Sequence, residues 1–255
     1  MVTNMKKLIL LLLLIPSLCF AGSIKVEDGG GNIAYDYIAP EVGSSLKTTD
    51  MTRGFEADSD PAGWAAETDT DGIYSRYNGT VYHSGSYSAS VAGGYTTAAY
   101  QVYDMGATKA ALSFCFWYYT PTTGGTDTIT LLAIGSSGGG SFGLKVYFQY
   151  AAGHYHFGLR GATFPYGTVE ITNGAWHRLE VDYAISATST LNVYDAGGTL
   201  VETLSVTAGS FSSQYLTFGK AGASARTDWT TGYYDDVGLD FTDATSPLWE
   251  YTVAN

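Results

Sequence analysis

Apolar and polar side chains alternate along residues 176–183 with a period of two. The two faces are Leu179, Val181 and Tyr183 on one side and Arg178, Glu180 and Asp182 on the other. A second alternating stretch, residues 190–194, is followed by Gly197-Gly198, and a third begins at residue 200. Successive side chains of a β-strand point to opposite faces, and a Gly-Gly pair between such stretches favours a hairpin turn. The pattern therefore predicts consecutive antiparallel strands.

Short strand patterns continue from Gly54 onward, separated by clusters of Gly, Ser, Thr and Pro. The predicted strands are Tyr87–Val91, Ala98–Tyr103, Ala111–Tyr119, Thr128–Ile134, Phe142–Tyr150, Tyr155–Leu159, Trp176–Ile185, Leu191–Tyr194, Leu200–Val206, Tyr215–Phe218 and Tyr233–Phe241. No stretch carries a sustained helical period. Many short strands without helices between them predict an all-β fold, an antiparallel β-sandwich of the jelly-roll type.

The first 21 residues have the pattern of a secretory signal peptide. Lys6 and Lys7 precede the apolar run Leu8–Ile15, and Pro16 and the small residue Ala21 follow it. The run is shorter than the roughly 20 residues that a membrane-spanning helix needs. We predict cleavage after Ala21 and a secreted protein, either extracellular or periplasmic.

The remaining chain divides into three predicted segments. Residues 22–52 are rich in Gly, Ser and Thr, and only Ala34–Ile38 resembles a strand, so we expect a flexible lead-in. Residues 53–244 form a single β-domain, and residues 245–255 form a C-terminal tail.

The chain is acidic and poor in cysteine. It carries 12 Lys and Arg against 24 Asp and Glu, a net charge of −12, and loss of Lys6 and Lys7 with the signal peptide leaves −14. Nucleic acid and anionic membranes bind clustered Lys and Arg. We therefore expect that the protein does not bind nucleic acid and does not insert into a membrane. Only Cys115 remains after cleavage, which excludes an internal disulfide and indicates a buried apolar residue.

Several motifs, in order, resemble the concanavalin A-like lectin/glucanase superfamily in its laminin G-like form. They are Gly54-Phe55-Glu56 with Gly63-Trp64, His83-Ser84-Gly85-Ser86-Tyr87-Ser88-Ala89, Leu112–Tyr118, Trp176-His177, Val193–Gly197, Leu216–Gly219 and Tyr233–Val237. Galactose-binding-like carbohydrate modules share the first and last of these motifs, although they are usually shorter. Both resemblances imply a β-sandwich and an extracellular glycan-binding role.

The resemblance also implies a structural Ca²⁺ ion. Relatives often hold calcium with carboxylates from the first and last strands, and the matching positions here are Glu56, Asp58 and Asp236. Carboxylate oxygens are the ligands that Ca²⁺ prefers. The alternative is that these groups bond backbone N–H groups in turns or lie free on the surface.

The glucanase motif of the superfamily is incomplete in this chain. Glucanases carry E-x-D-x-x-E or E-x-D-x-E along one strand, so that nucleophile and general acid share one face. Here Glu180 and Asp182 are followed by the non-ionisable Ala184 and Ile185. We interpret the two carboxylates as a solvated polar face beside Arg178, and we assign no catalytic residue.

Alternation also identifies a surface that could bind sugar. The outward positions of three predicted strands are Trp117, Tyr119, Tyr147, Gln149, His154, His156 and Arg160. If these strands share one sheet, the face offers aromatic rings for the apolar side of a sugar and planar groups for its hydroxyls. Two alternatives remain open: a covering loop or the core could bury Trp117 and Tyr119, and the two histidines could bind a transition metal if a third ligand were near.

These observations favour a secreted, non-catalytic carbohydrate-binding or adhesion module whose partner is a glycan. A polysaccharide lyase or glycoside hydrolase on the same fold is the first alternative, because lyases combine Tyr, His, Arg and Gln as residues 147–160 do. A structural protein of the extracellular matrix or cell surface is the second.

Overall fold

The computed structural model describes residues 23–27, 33–38, 42–46, 51–56, 62–64, 68–69, 74–91, 99–122, 128–135, 142–151, 153–211, 213–220, 231–241 and 249–253. The predicted signal peptide lies outside these residues. Within them, no helix is long and apolar enough to cross a membrane.

The described chain is built of β-strands. They are β1 Ser23–Glu27, β2 Ile33–Ile38, β3 Val42–Leu46, β4 Met51–Arg53, β5 Thr68–Asp69, β6 Tyr74–Asn78, β7 Ser88–Val91, β8 Ala99–Asp104, β9 Ala111–Tyr119, β10 Thr128–Gly135, β11 Phe142–Ala151, β12 His154–Arg160, β13 Trp176–Ala184, β14 Thr188–Tyr194, β15 Leu200–Thr207, β16 Tyr215–Lys220, β17 Gly232–Asp240 and β18 Trp249–Val253. Each strand predicted from alternation is present, and β9 has the predicted bounds.

The chain forms two compact units, Met1–Ser45 with Glu250–Asn255, and Leu46–Trp249. In the first, β1 pairs antiparallel with β2; a separate two-stranded sheet joins β3 and β18. The sequence indicated a strand only at Ala34–Ile38 within residues 22–52, whereas the structure has four strands there, β1 to β4. These strands are only three to six residues long, which is too short for alternation to identify them within a segment rich in Gly, Ser and Thr.

The second unit is a sandwich of two antiparallel sheets. The smaller has the strand order β12-β11-β10-β16-β8-β5. The larger has the order β15-β14-β13-β9-β17-β7-β6, and β4 also pairs with β17. The predicted fold class is confirmed: an all-β, antiparallel jelly-roll sandwich.

The hydrophobic core lies between the two sheets and follows the predicted alternation. Leu112, Phe114 and Phe116 of β9 are completely buried on its inner face. Rings from the two sheets meet there: Phe116 packs edge-on against Phe218, with 5.4 Å between centroids, and Tyr118 packs against Phe148 at 6.3 Å. Burial of each such side chain contributes about 1.5–3 kcal/mol to folding. In each strand, the residues at the alternate positions therefore lie on the outer face of its sheet.

Candidate functional site

The strand register arranges the outer face of the larger sheet in rows. Residues directly opposite each other in an antiparallel pair project to the same side. Across β13, β9 and β17 the first row is Trp176–Tyr119–Tyr233, the second is Arg178–Trp117–Asp235, and the third is Glu180–Cys115–Gly238. Trp117 and Tyr119 therefore lie on the outer face. We call Trp176, Tyr119 and Tyr233 the aromatic row.

The three rings of the aromatic row hold one another in place. The Tyr119 centroid lies 5.4 Å from that of Trp176 and 5.9 Å from that of Tyr233, with interplanar angles of 69° and 78°. Such edge-to-face contacts are favourable for aromatic pairs. All three side chains are only partly buried. Burial, followed by the neighbouring Tyr119, raises the pKa of Tyr233, so its hydroxyl stays a hydrogen-bond donor at neutral pH.

Trp117, in the second row, is covered. Its side chain is 3% exposed, because the imidazole of His83 stacks on the indole with 3.8 Å between centroids and 16° between planes. The same imidazole meets Trp176 edge-on at 5.5 Å. His83 belongs to residues 83–87, which we call the covering segment. The covering loop that the sequence left open as an alternative is thus present over Trp117, while Tyr119 remains partly exposed.

Two consecutive carboxylates of β17 face outward because the strand carries a β-bulge. Asp235 pairs with Trp117 and Gly238 with Cys115, so β17 has one residue more than β9 in this interval. Asp236 sits in the bulge with φ of 47°, a left-handed conformation that aspartate tolerates better than most residues.

Both carboxylates bind the covering segment. Asp235 Oδ2 accepts backbone N–H groups from His83 at 2.8 Å and Ser84 at 3.1 Å. Asp236 Oδ2 lies 2.7 Å from His83 Nδ1, and its Oδ1 accepts the Ser84 hydroxyl at 2.6 Å. Hydrogen bonds to ionised groups are the stronger ones. The two aspartates therefore fix the position of His83 over Trp117.

Glu56 binds the other end of the covering segment. Its carboxylate oxygens accept the backbone N–H of Ser86 at 3.1 and 3.0 Å, and Oε1 accepts that of Tyr87 at 3.3 Å. Glycine is required at Gly85, where φ is 62° and a Cβ atom would lie 2.2 Å from Glu56 Oε1. Two of the predicted calcium ligands, Glu56 and Asp236, thus both accept hydrogen bonds from the covering segment.

The third predicted calcium ligand, Asp58, lies outside the described residues. Within the described part of the chain, no group of three His, Cys, Asp or Glu side chains is arranged to hold a metal ion. Calcium binding at Glu56 and Asp236 therefore stays a prediction.

Burial, and next the adjacent Asp236, raises the pKa of Asp235 to about 7. The hydrogen bonds from Ser84, His83 and Asp236 lower the pKa but do not outweigh these effects. Asp235 is completely buried, so its charge is costly in this position. A cation nearby would favour the ionised form.

Arg178, Glu180 and Tyr194 form a second polar group on the outer face. Arg178 Nε lies 3.1 Å from Glu180 Oε1, and its guanidinium carbon lies 4.0 Å from the Tyr194 ring centroid. Burial raises the pKa of Glu180, and burial together with Glu180 raises that of Tyr194 to about 12. Arg178 is 2% exposed and Glu180 is partly buried, so the predicted solvated face is limited to Asp182, which is exposed.

The two carboxylates of the incomplete glucanase motif are engaged in local contacts. Glu180 pairs with Arg178, and Asp182 accepts hydroxyls from Ser113 at 2.6 Å and Thr190 at 3.4 Å. These contacts are typical of carboxylates that stabilise a sheet.

The remaining predicted sugar-binding residues lie on the smaller sheet. Tyr147, Gln149 and His156 are buried there, and the segment that joins β12 to β13 covers Tyr147 and His156. The Tyr147 hydroxyl donates to the Pro165 carbonyl, the Phe164 ring lies 4.3 Å from the Tyr147 ring, and His156 Nδ1 lies 2.9 Å from the Val169 carbonyl oxygen. These contacts close most of the proposed surface.

Two members of the predicted set stay exposed on this side. Arg160 lies over the Phe164 ring at 5.0 Å, and His154 Nδ1 lies 2.9 Å from Glu170 Oε1. The joining segment exposes rings of its own, Phe164 and Tyr166, each about half exposed. Sequence reasoning missed both, because they lie outside any strand pattern.

The single binding surface expected from the sequence does not exist. It required that β9 share a sheet with β11 and β12, but β9 belongs to the larger sheet and the other two to the smaller. Their inner residues meet in the core, as Tyr118 and Phe148 do, so their outer residues lie on opposite sides of the sandwich. Trp176, Tyr233, His83 and Asp235 complete the face around Tyr119, and the sequence alone did not identify them.

No protein-family model matches this sequence, and no curated protein matches it. Two similar solved structures are "Cellulose induced protein, Cip1", at 18% identity and TM-score 0.54, and the PL-14 alginate lyase of Aplysia kurodai, at 11% and 0.53. The matches cover 76% and 75% of this chain and 98% of each of those chains. These likenesses show the fold.

Proposed function

We propose that the protein is an exported, non-catalytic module that binds a polysaccharide through the aromatic row. The observation that carries the proposal is the alignment of Trp176, Tyr119 and Tyr233 on three neighbouring strands, partly exposed and held by edge-to-face contacts. Aromatic rings bind the apolar C–H faces of sugars, and fixed rings lose little entropy on binding. The signal-peptide pattern of residues 1–21 supports export.

Polar groups beside the row suit hydroxyl-bearing ligands. The tyrosine hydroxyls of Tyr119 and Tyr233 can donate and accept, and His83 lies against Trp176. The names of two similar structures, a cellulose-induced protein and an alginate lyase, support a polysaccharide as the partner. The acidic chain, with a net charge of −12, favours a neutral polymer over a polyanion.

Trp176→Ala is expected to weaken retention on insoluble or gel-bound polysaccharide at least tenfold with a small change in melting temperature, because the ring is partly exposed. Affinity electrophoresis in gels containing cellulose derivatives, neutral glucans or alginate measures it. Phe211→Ala removes a more exposed ring, 48% accessible, from a different segment and is the control. Equal retention of both variants would refute the aromatic row as the binding surface. Release of unsaturated uronate, followed by absorbance, would instead establish a lyase.

A structural calcium ion at Glu56 and Asp236 belongs to the same proposal. Three carboxylates, those of Glu56, Asp235 and Asp236, bind the covering segment. Burial is the main cause of the raised pKa of Asp235, and the adjacent Asp236 is the second; a divalent cation would offset this second effect. The oxygen donors suit Ca²⁺.

Adding EDTA is therefore expected to lower the melting temperature, and Ca²⁺ to restore it. An ion present at one hundred times its dissociation constant stabilises a fold by about 2.7 kcal/mol. Differential scanning calorimetry measures the shift, and Asp236→Asn should reduce it. If neither EDTA nor added Ca²⁺ changes the melting temperature, the protein has no structural calcium site at these residues.

A further inference from the structure

The outer face of the smaller sheet carries two cationic side chains next to each other. Lys145 of β11 and Arg160 of β12 are directly opposite in the strand register, so both project to the same side. Arg160 is exposed and Lys145 is partly buried. Like charges in directly opposite positions destabilise a sheet. An anion bound by both side chains would turn this repulsion into attraction.

Neither cation has a carboxylate partner among the described residues. No Asp or Glu in that part of the chain lies within ion-pair distance of Lys145 or Arg160, although the whole sequence has 24 acidic and only 12 basic residues. Burial, and next the charge of Arg160, lowers the pKa of Lys145. Its positive charge is therefore costly in this position, and a nearby anion would stabilise it.

Aromatic rings hold both cations in position. Lys145 Nζ lies 3.8 Å from the ring centroid of Phe142, and the guanidinium carbon of Arg160 lies 5.0 Å from that of Phe164. A ring attracts a cation placed over its face. Stacking uses the face of the guanidinium group, so the N–H donors at its edge can still bond a carboxylate.

Beside the cations lies an aromatic surface whose shape depends on Gly158. This residue pairs with Tyr147 on one side and with Tyr166 on the other. A Cβ atom at Gly158 would collide with the Tyr147 ring, so that ring lies across the glycine. The Phe164 ring packs on Tyr147 at 4.3 Å. Phe164 and Tyr166 are 48% and 47% exposed, and they offer their rings to a ligand.

The segment that carries these two exposed rings is fixed to β15 on both sides of them. The Ala162 N–H donates to the Thr207 carbonyl at 2.8 Å. The Thr168 N–H donates to Glu202 Oε1 at 2.6 Å. The rings therefore keep their positions without a ligand, and binding needs little reordering.

We propose that Lys145, Arg160, Phe164 and Tyr166 form a second glycan site, which binds a uronate residue of an acidic saccharide. The guanidinium group bonds the carboxylate with two parallel N–H donors, and the ammonium group adds a second positive charge. The exposed rings contact the apolar C–H face of the sugar, and the Tyr166 hydroxyl can bond a sugar hydroxyl. A uronate has both the charge and the apolar ring face that this surface matches.

The second site is independent of the aromatic row. It belongs to the smaller sheet and the row to the larger, so the two surfaces face opposite sides of the sandwich. The second site would stand even if the row bound nothing. Because the net charge of −12 repels a long polyanion, a uronate carried by a largely neutral polysaccharide suits the protein best.

Saturation-transfer NMR with methyl glucuronide and methyl glucoside tests the site, because the two sugars differ only in a carboxylate that replaces a hydroxymethyl group. The glucuronide is expected to receive saturation from the protein, and the glucoside much less. Arg160→Gln is expected to weaken glucuronide binding about tenfold or more through loss of charge-assisted hydrogen bonds. Its melting temperature should stay unchanged, because the Arg160 side chain is exposed.

Lys145→Gln and Lys109→Gln form a matched pair of variants. Lys109 Nζ lies 3.7 Å from the Phe241 ring centroid, a contact like that of Lys145, but it lies between β8 and β9. Both substitutions remove one positive charge from a ring. Lys145→Gln is expected to weaken glucuronide binding, whereas Lys109→Gln should bind it as the unaltered protein does.

Several results would overturn the proposal. They are absence of glucuronide binding, equal binding of glucuronide and glucoside, full glucuronide binding by Arg160→Gln, and equal losses in Lys145→Gln and Lys109→Gln. A hexapeptide of glutamate that binds as tightly as the glucuronide, and depends on Arg160, would instead assign the surface to acidic peptides. Loss of glucuronide binding in Trp176→Ala but not in Arg160→Gln would place the acidic sugar on the aromatic row.

Discussion

Trp117→Ala is expected to lower the free energy of unfolding by about 3–5 kcal/mol, the usual cost of removing a large aromatic side chain from a closed environment. Trp117 is 3% exposed and stacks under His83 at 3.8 Å. Its removal leaves a cavity beneath the covering segment. Urea unfolding followed by circular dichroism measures the change, and any loss of polysaccharide binding would follow from the lost structure.

The matched control is Tyr119→Ala, two residues along the same strand and on the same face. Tyr119 is only partly buried, so its replacement should cost clearly less stability. Similar unfolding energies for the two variants would contradict the conclusion that the covering segment closes over Trp117 and leaves the aromatic row open.

Raising the pH from 4 to 8 is expected to remove stability through Asp235. Its pKa in the folded chain is about 7, against an ordinary value of 3.8. The folded state therefore holds the proton more tightly than the unfolded chain, so stability is fully present below about 3.8 and is lost as the pH rises through about 7. The difference corresponds to about 4 kcal/mol.

Denaturant midpoints across this pH range, compared between the protein and Asp235→Asn, isolate the contribution of this group. The neutral amide cannot ionise, so the variant should lose much less stability between pH 4 and pH 8. Asp104→Asn, at an exposed aspartate of β8, should follow the unaltered protein. If Asp235→Asn has the same pH dependence as the unaltered protein, Asp235 is not the group responsible. Because bound Ca²⁺ would favour the ionised carboxylate, the measurement is made in EDTA.

The strands and their inner faces could be predicted because alternation is a local property. In β13 the sequence separates Leu179 and Val181 from Arg178 and Glu180, and the structure buries the first pair in the core. The same reasoning placed Trp117 and Tyr119 of β9 outside the core, and the register confirms it.

The composition of the site could not be predicted because it depends on which strands are neighbours. Nothing local in the sequence of β11 shows that it lies in the sheet opposite β9. Alternation with a period of two also gives no information on where the segments between strands lie. His83 over Trp117, and Phe164 over Tyr147, both come from such segments.

The extra residue in β17 has a consequence for the whole strand. Because side chains in a strand switch sides at every step, inserting one residue exchanges the sides of everything that follows. Tyr234 before the bulge and Val237 and Leu239 after it all reach the interior, although they are not separated by even numbers of residues throughout. One strand thus serves two registers: with Asp236 kept but no bulge, regular alternation from Tyr234 would turn the Asp236 carboxylate inward and the Val237 and Leu239 side chains into water.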